Sequence, residues 1–455
     1  MSLGVLGGGA QARRLGRLVE AAQRCLARNV VSGRNANEPA RYLRAGGGYA
    51  DPWTRDAAIN AWQAGAWLLP EVSADTLRMV CEPRDRVVWD DQWWDQVIWV
   101  VGAHRVAMVT GDPAWARWAY RVGLATVERL DERCREPDGL YRGPAVMTDG
   151  ITGYPPQLHD RGRAGESFVL DHPGTERLRC LSTNALYVWA FRAMAELAEV
   201  AGDQPSPWTA RADALAAGVR SAFWIEQEER FGYLRTTDGR CFDDQEGLGL
   251  ALAILSGTAT GDQVPATLAH LRRAPGGLPA VWPHYEGFDD DRFGRHNGAL
   301  WPMIMGVWAQ AEASVGDADA FGHDLDLLCR LFENGDDRFF ELYHPVTGQP
   351  DGGWQIGRHW RSEPDQTWSA ATLIGTVLHG VAGLQPHWDR LDCRPCLPPG
   401  LESIELTLPW RGGRLDLRLQ GQGSRIVDVH LDGQPAADGS VPADGADHVL
   451  EIGCR

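Results

Sequence analysis

The segment Phe339-Phe340-Glu341-Leu342-Tyr343-His344-Pro345-Val346-Thr347-Gly348 sets one carboxylate directly after two phenylalanines at the mouth of a loop. An apolar wall of this kind can tune a carboxyl pKa and aim the group at a cleft, as general acid–base chemistry requires. On these residues alone Glu341 is equally a surface acid. A second concentration of reactive and aromatic side chains is Trp89-Asp90-Asp91-Gln92-Trp93-Trp94-Asp95. Indole faces stack on sugar C–H surfaces, and flanking carboxylates accept from sugar hydroxyls. Neighbouring helical residues point about 100° apart, so no more than one of Trp93 and Trp94 faces a cleft; the candidates carried forward are Asp91 and Trp94. Trp282, Trp301 and Trp354 are equally stacking surfaces or core. His284, His296, His344 and His359 lack metal-centre spacing, so no metal and no cofactor is expected, and His296 and His344 are left as hydroxyl binders.

The Glu341 segment, followed by Trp368-Ser369-Ala370-Ala371, resembles the Glu-x-Tyr-(Asn/Asp)-Pro-x-Thr-Gly … Trp-(Ser/Thr)-Ala-Ala block of the six-hairpin glycosidases. The resemblance is to the processing α-glucosidases of glycoside hydrolase family 63 and the trehalases of family 37. Three more blocks occur in the family's order. Tyr49-Ala50-Asp51-Pro52-Trp53-Thr54-Arg55-Asp56 resembles the early Trp-x-(Arg/Trp)-Asp block. Leu181-Ser182-Thr183-Asn184-Ala185 resembles the Val-Asp-Leu-Asn-Ala helix start, with Ser or Thr in place of its aspartate. Arg295-His296-Asn297-Gly298-Ala299-Leu300-Trp301-Pro302 resembles Tyr-x-Arg-Gly-Pro-Ile-Trp. Together they span about residues 45–385.

The resemblance implies that Glu341 is the catalytic base. It implies that Trp53, Arg55, Asp56, Asn184, His296, Asn297, Trp301, Tyr343, His344 and Trp368 contribute to sugar binding. By position it gives Asp149 as the general acid, about 33 residues ahead of Ser182, although Met147-Thr148-Asp149-Gly150 differs from the family's Glu-Ser-Gly-x-Asp. Asp91, Asp95 and Glu246 are the substitutes. Inverting hydrolysis places two carboxyls about 6.5–9.5 Å apart, one protonated and one holding water on the opposite ring face. Residues 149 and 341 lie on separate loops, which can meet across the mouth of a ring of helices. Tyr154, Phe339 and Trp354 could desolvate the acid, and Arg55 could order Asp56 as a charged hydrogen-bonding pair.

Composition removes other chemistries. The 455 residues contain 44 arginines and no lysine, so Walker A loops, pyridoxal-phosphate Schiff bases and lysine-type aldolases are excluded. The net charge of −17 repels phosphate backbones and anionic lipid, so neither nucleic acid nor a membrane is an expected partner; a small-molecule carbohydrate is. Oligomeric state is not legible. Nine scattered cysteines are no disulfide framework, and the lone Cys393-x-x-Cys396 reads as chance. With no basic and apolar leader, the expected location is the cytoplasm, a trimmed exported form being the alternative.

Helical periodicity, which marks the elements that must position these groups, recurs over about 11–28, 54–69, 73–81, 92–110, 113–132, 182–201, 206–222, 244–256, 262–273, 297–314, 317–333 and 366–383. Long connections lie at about 29–53, 133–181, 274–296 and 334–365. Period-two alternation then marks 404–408, 415–419, 426–431 and 448–452 as strands. The expected architecture is mainly α: an (α/α)6 toroid of about twelve helices over 1–385, with a small antiparallel, sandwich-like β appendage over 386–455. The expected activity is inverting hydrolysis of a small, α-linked glycoside or oligosaccharide. A sugar epimerase or polysaccharide lyase on the same toroid, relying on His296 or His359, and a non-catalytic carbohydrate-binding protein are the alternatives.

Overall fold

The computed structural model describes residues 3–35, 38–83 and 85–455; Ala36, Asn37 and the first two positions of the expected 1–385 unit lie outside the described residues. Among the described residues, twelve helices follow one another. They are α1 (Ala10–Arg28), α2 (Thr54–Asn60, carried on by the π-turn Ala61–Gly65 and Ala66–Leu68), α3 (Pro70–Met79), α4 (Ile98–Thr110), α5 (Pro113–Cys134) and α6 (Leu181–Ala201). Then come α7 (Ser206–Phe223), α8 (Gly247–Leu255), α9 (Gln263–Ala269), α10 (Pro302–Ser314), α11 (Ala318–Asn334) and α12 (Thr367–Gly375, carried on by the π-turn Thr376–Val381).

Sequence decides which of these lie inside. The nine residues of α12 are all buried, as are eight of nine in α8 and twelve of thirteen in α10. A helix apolar all round is stable only when neighbours cover every side, whereas α1 and α11 carry a one-sided apolar stripe. The even-numbered helices pack in succession, α2 on α4, α4 on α6, α6 on α8, α8 on α10, α10 on α12, and α12 back onto α2. Of the odd-numbered helices, α1 lies on α12, α3 on α2 and α4, α5 on α4 and α6, α7 on α6, and α11 on α10.

Local chemistry makes the tight turns. Asp112 accepts from the amides of Ala114 and Trp115 and so caps α5, with Pro113 at its first position. Gly111 (φ 69°) ends α4 and Gly202 (φ 82°) ends α6 in the left-handed conformation that reverses the chain at once.

Three expectations need correction. The connection at 29–53 contains an antiparallel hairpin, Val30–Asn35 with Glu38–Leu43. The stretch 92–110 is not one helix: Trp93–Asp95 is a single 3-10 turn ahead of α4. The C-terminal sheet is mixed rather than antiparallel, because Gly413–Gly421 and His448–Cys454 run parallel. The intervening strands Ile426–Leu431 and Gln434–Pro435 pair on the far side of His448–Cys454, which frees that strand to lie beside Gly413–Gly421.

The edge strand of this six-stranded sheet, Gly4–Leu6, comes from the other end of the chain and pairs with Ser403–Trp410. A second sheet joins Leu384–Pro386, Arg390–Cys393 and Ser440–Pro442. Trp410, 1 % exposed, lies 6.1 Å from Trp67 at the end of α2 and donates to the carbonyl of Pro442. Among the described residues no helix is long and apolar enough to cross a membrane.

Candidate active site

The first turn of α2 carries Arg55 and Asp56, and Asp95 stands just ahead of α4. Trp301 is the residue before α10, and Trp368 belongs to the first turn of α12. Helix N-termini favour nearby negative charge, so carboxylates gather here at reduced cost. Three long connections complete the cluster: 133–181 brings Asp149, 274–296 brings Arg295 and His296, and 334–365 brings Glu341.

Glu341 is 4 % exposed. It accepts from Arg295 Nη2 at 2.6 Å on Oε2 and from the Tyr49 hydroxyl at 3.1 Å on Oε1. Asp149 accepts from Arg55 Nη2 at 2.8 Å and Gln92 Nε2 at 3.0 Å, both on Oδ2, and faces His296 Nε2 at 3.2 Å. Arg295 and His296 are adjacent in sequence, so consecutive residues of one loop engage the two carboxylates. Gly150 is required beside them, since a Cβ there would stand 2.3 Å from the His296 ring. His296 stacks on Trp301 at 5.2 Å, Trp301 meets Trp368 edge-on at 5.8 Å, and Arg55 lies 5.8 Å from the Trp368 ring centre. Trp53, 38 % exposed, offers an open indole face beside α2.

The electrostatics follow from one guanidinium serving three carboxylates. Arg55 sits 3.2 Å from Asp95 as well as 2.8 Å from Asp149 and is adjacent to Asp56. Burial pushes Asp56 up to about 7, with Arg55 opposing and Glu341 adding to the rise. Burial likewise pushes Asp95 up to about 7 against Arg55. For Asp149 burial acts in the same direction but is outweighed by Arg55 and His296, which hold its carboxyl well below the usual range. Burial lowers the His296 pKa, with Asp149 opposing. Asp56 Oδ1, Thr54 Oγ1 and Arg55 Nε are buried without a protein partner, as are Gln355 Oε1 and Trp360 Nε1. These are unmet donors and acceptors of the kind a hydroxyl-rich ligand can use.

Several expected contacts belong to the scaffold instead. Trp94 is fully buried with its N–H on the Ala145 carbonyl. Asn184 is spent on Tyr141 and Cys180 backbone groups, and Asn297 on those of Tyr285, Pro283 and Val281. Tyr343 is fully buried, its hydroxyl accepting from the Phe340 amide and donating to the Arg338 carbonyl. His344 Nδ1 closes a local turn by accepting from the Val346 amide, and Asp91 is exposed outside the cluster. Of the substitute acids, Glu246 is pushed up by burial to about 8 and is only 2 % exposed, its amide partner being Ser182. Four participants were not singled out from sequence as site residues: Tyr49, Gln92, Arg295 and Gln355. Tyr49 and Arg295 stand inside the matching blocks and Gln92 inside the Trp89–Asp95 cluster, which was the available signal; Gln355 carried none.

Comparison with known proteins gives the chain a family. Residues 49–369 match the family described as mannosylglycerate hydrolase MGH1-like glycoside hydrolase domain. An N,N'-diacetylchitobiose phosphorylase of Vibrio furnissii is 26 % identical over 297 residues, which is 59 % of this chain and 36 % of the phosphorylase, so the chain spans about a third of that relative's length. Among solved structures, a sialidase superposes with a TM-score of 0.71 at 17 % identity, covering 94 % of this chain and 40 % of the sialidase. The GH63 mannosylglycerate hydrolase from Thermus thermophilus, in complex with Tris and D-glycerate, superposes with a TM-score of 0.58 at 18 % identity, covering 79 % of this chain and 99 % of that one. At these identities the superpositions speak for the fold.

Proposed function

The chain belongs to the MGH1-like glycoside hydrolase family, and from that premise we propose that it hydrolyses a small α-linked glycoside with inversion, Glu341 acting as base and Asp149 as acid. The observation that carries this reading is the pair of carboxylates on separate loops, Glu341 on Arg295 and Asp149 on His296, held by consecutive residues. Glu341 Oε1, turned to Tyr49, takes the proton of the attacking water. Once substrate hydroxyls take over the Arg55 and His296 contacts that keep it ionised, Asp149 takes up a proton from solvent and passes it to the departing oxygen. Asp95 and Glu246 hold protons more readily, but Asp95 is engaged by Arg55 and Glu246 by the Ser182 amide. Asp56, with its unpartnered Oδ1, binds hydroxyls beside Trp53 and Trp368.

In the same proposal the cyclic packing of even-numbered helices is the inner ring of an (α/α)6 toroid within residues 1–385, and 386–455 form the β appendage, with the strand Leu384–Pro386 straddling that boundary and Gly4–Leu6 joining the sheet from the other end. Nine free thiols fit a reducing compartment, and the proposed setting is the cytoplasm. The substrate panel includes mannosylglycerate and α-linked disaccharides, because the Thermus hydrolase is named for the first. A second reading is favoured by the Vibrio relative alone: phosphate replacing water as nucleophile.

Turnover of the panel with and without inorganic phosphate separates the two. The acid is tested with Asp149→Asn, which should recover on aryl glycosides with good leaving groups and stay poor on natural ones. Equal loss on both contradicts the assignment.

A further inference from the structure

A cavity of about 340 Å³ opens between α2, α4, α6 and α12, away from Glu341 and Asp149. Trp62 in the π-turn after α2, Arg105 on α4, Trp189 and Glu196 on α6 and His379 in the π-turn after α12 line it, and the strand Leu384–Pro386 closes it. Glu196 lies 14 residues beyond Ser182, the residue at the active-site end of α6, which is about 21 Å along the helix. The cavity is therefore distinct from the site of Glu341 and Asp149.

Arg105 is anomalous. It makes no hydrogen bond or ion pair with any described residue, and its Nη1 is sealed from solvent without a partner. Burial lowers its pKa to about 10, with Glu196 opposing. The carboxylate on the wall, Glu196, is turned to His104 Nε2 at 3.1 Å, with His387 Nδ1 at 3.9 Å, and Arg192 on the same wall faces Asp213 at 3.5 Å.

His379 presents Nδ1 to the Leu384 carbonyl at 3.2 Å and Nε2 to the Trp62 carbonyl at 3.3 Å. Only a doubly protonated ring donates to both. Burial and the adjacent Arg105 oppose that form and push the His379 pKa down to about 3. One half-buried guanidinium and one imidazole with conflicting hydrogen-bond demands thus converge on a cavity whose acid, Glu196, is hydrogen-bonded to His104. A guanidinium nitrogen sealed from solvent without a partner is costly to a fold, and a planar guanidinium is suited to two oxygens of one ligand.

We propose that this cavity binds a compact oxyanion, phosphate or a small carboxylate, with Arg105 as its charged anchor. The edge-to-face pair Trp62–Trp189, 4.9 Å between ring centres, forms an apolar flank that keeps the ligand small. The inference stands on this cavity's residues and not on the reaction proposed above.

The test is calorimetric titration of the full chain with inorganic phosphate and, separately, with succinate, at ionic strength fixed by chloride. Wild-type protein should bind at least one of them, and Arg105→Met and Arg105→Gln should bind it at least tenfold more weakly. Glu341→Gln should bind it like wild type, and Arg105→Met should retain wild-type turnover of glycosides. Binding of phosphate alone or of succinate alone assigns the anion. No binding of either, or binding unchanged in the Arg105 variants, overturns the proposal. Tungstate soaked into wild-type crystals provides a check that needs no variant: an anomalous peak beside Arg105 is expected, and its absence from this cavity contradicts the site.

Discussion

The cluster at the starts of α2, α4, α10 and α12 and the face of the C-terminal sheet use the same ion-pair chemistry to opposite ends. On the sheet, Arg418 meets Glu451 at 2.9 Å and Arg414 meets Asp416 at 2.6 Å, both in contact with water. Each cation has a carboxylate partner nearby, and solvent screens the rest, so these pairs contribute little to stability. In the cluster Arg55 is shared among Asp56, Asp95 and Asp149, and Asp56 Oδ1 and Arg55 Nε are buried with no partner at all. Such an arrangement opposes folding, and a ligand is one source of the missing contacts. The contrast locates function more sharply than aromatic content does: several of the 20 tryptophans, Trp94, Trp99 and Trp308 among them, are fully buried scaffold.

Four substitutions would break or sharpen that contrast. The largest effect belongs to Glu341→Gln, which should reduce turnover about 10²–10⁴-fold with an unaltered circular dichroism spectrum and melting temperature. Retention of more than about a tenth of the activity removes Glu341 as base. Next, Trp410→Ala empties a site between the sheet and α2 and should cost about 3–5 kcal/mol in denaturant unfolding, while kcat per folded molecule stays unchanged. A fall in kcat would make the sheet part of the catalytic apparatus.

Third is a pH effect. Because the Asp56 pKa is raised from 3.8 to about 7 by burial, the folded chain binds more protons than the unfolded one between those values. Its contribution therefore lowers stability as pH rises from about 4 to about 7. Asp56→Asn should flatten the dependence of the melting temperature on pH across that window; an unchanged slope would show that Asp56 ionises normally. Smallest is Arg418→Ala, for which the unfolding midpoint and turnover should both match wild type.

Apolar periodicity announced all twelve helices, because burial on one side or on every side leaves its mark on spacing. The blocks around Trp53, His296, Glu341 and Trp368 were also legible, since their local sequences resemble family blocks that occur in the same order. What spacing does not carry is partnership. Nothing along the chain says that Arg295 reaches Glu341, 46 positions away, or that Gln92 reaches Asp149. The same blindness promoted Asn184 and Asn297: a buried asparagine satisfying backbone groups has the same letter as one binding a sugar. In the sheet, alternation marked the strands yet was silent on direction, and the parallel pairing of Gly413–Gly421 with His448–Cys454 came from the path of the chain between them.

The central claim is that Glu341 activates water for attack from the face opposite the departing group. Proton NMR of the anomeric signals during turnover of an α-linked substrate tests it directly. The account predicts that the β-anomer appears first, later equilibrating with α, and that no anomeric product forms with Glu341→Gln. Release of the α-anomer first, or a sugar phosphate formed only when phosphate is present, would contradict it.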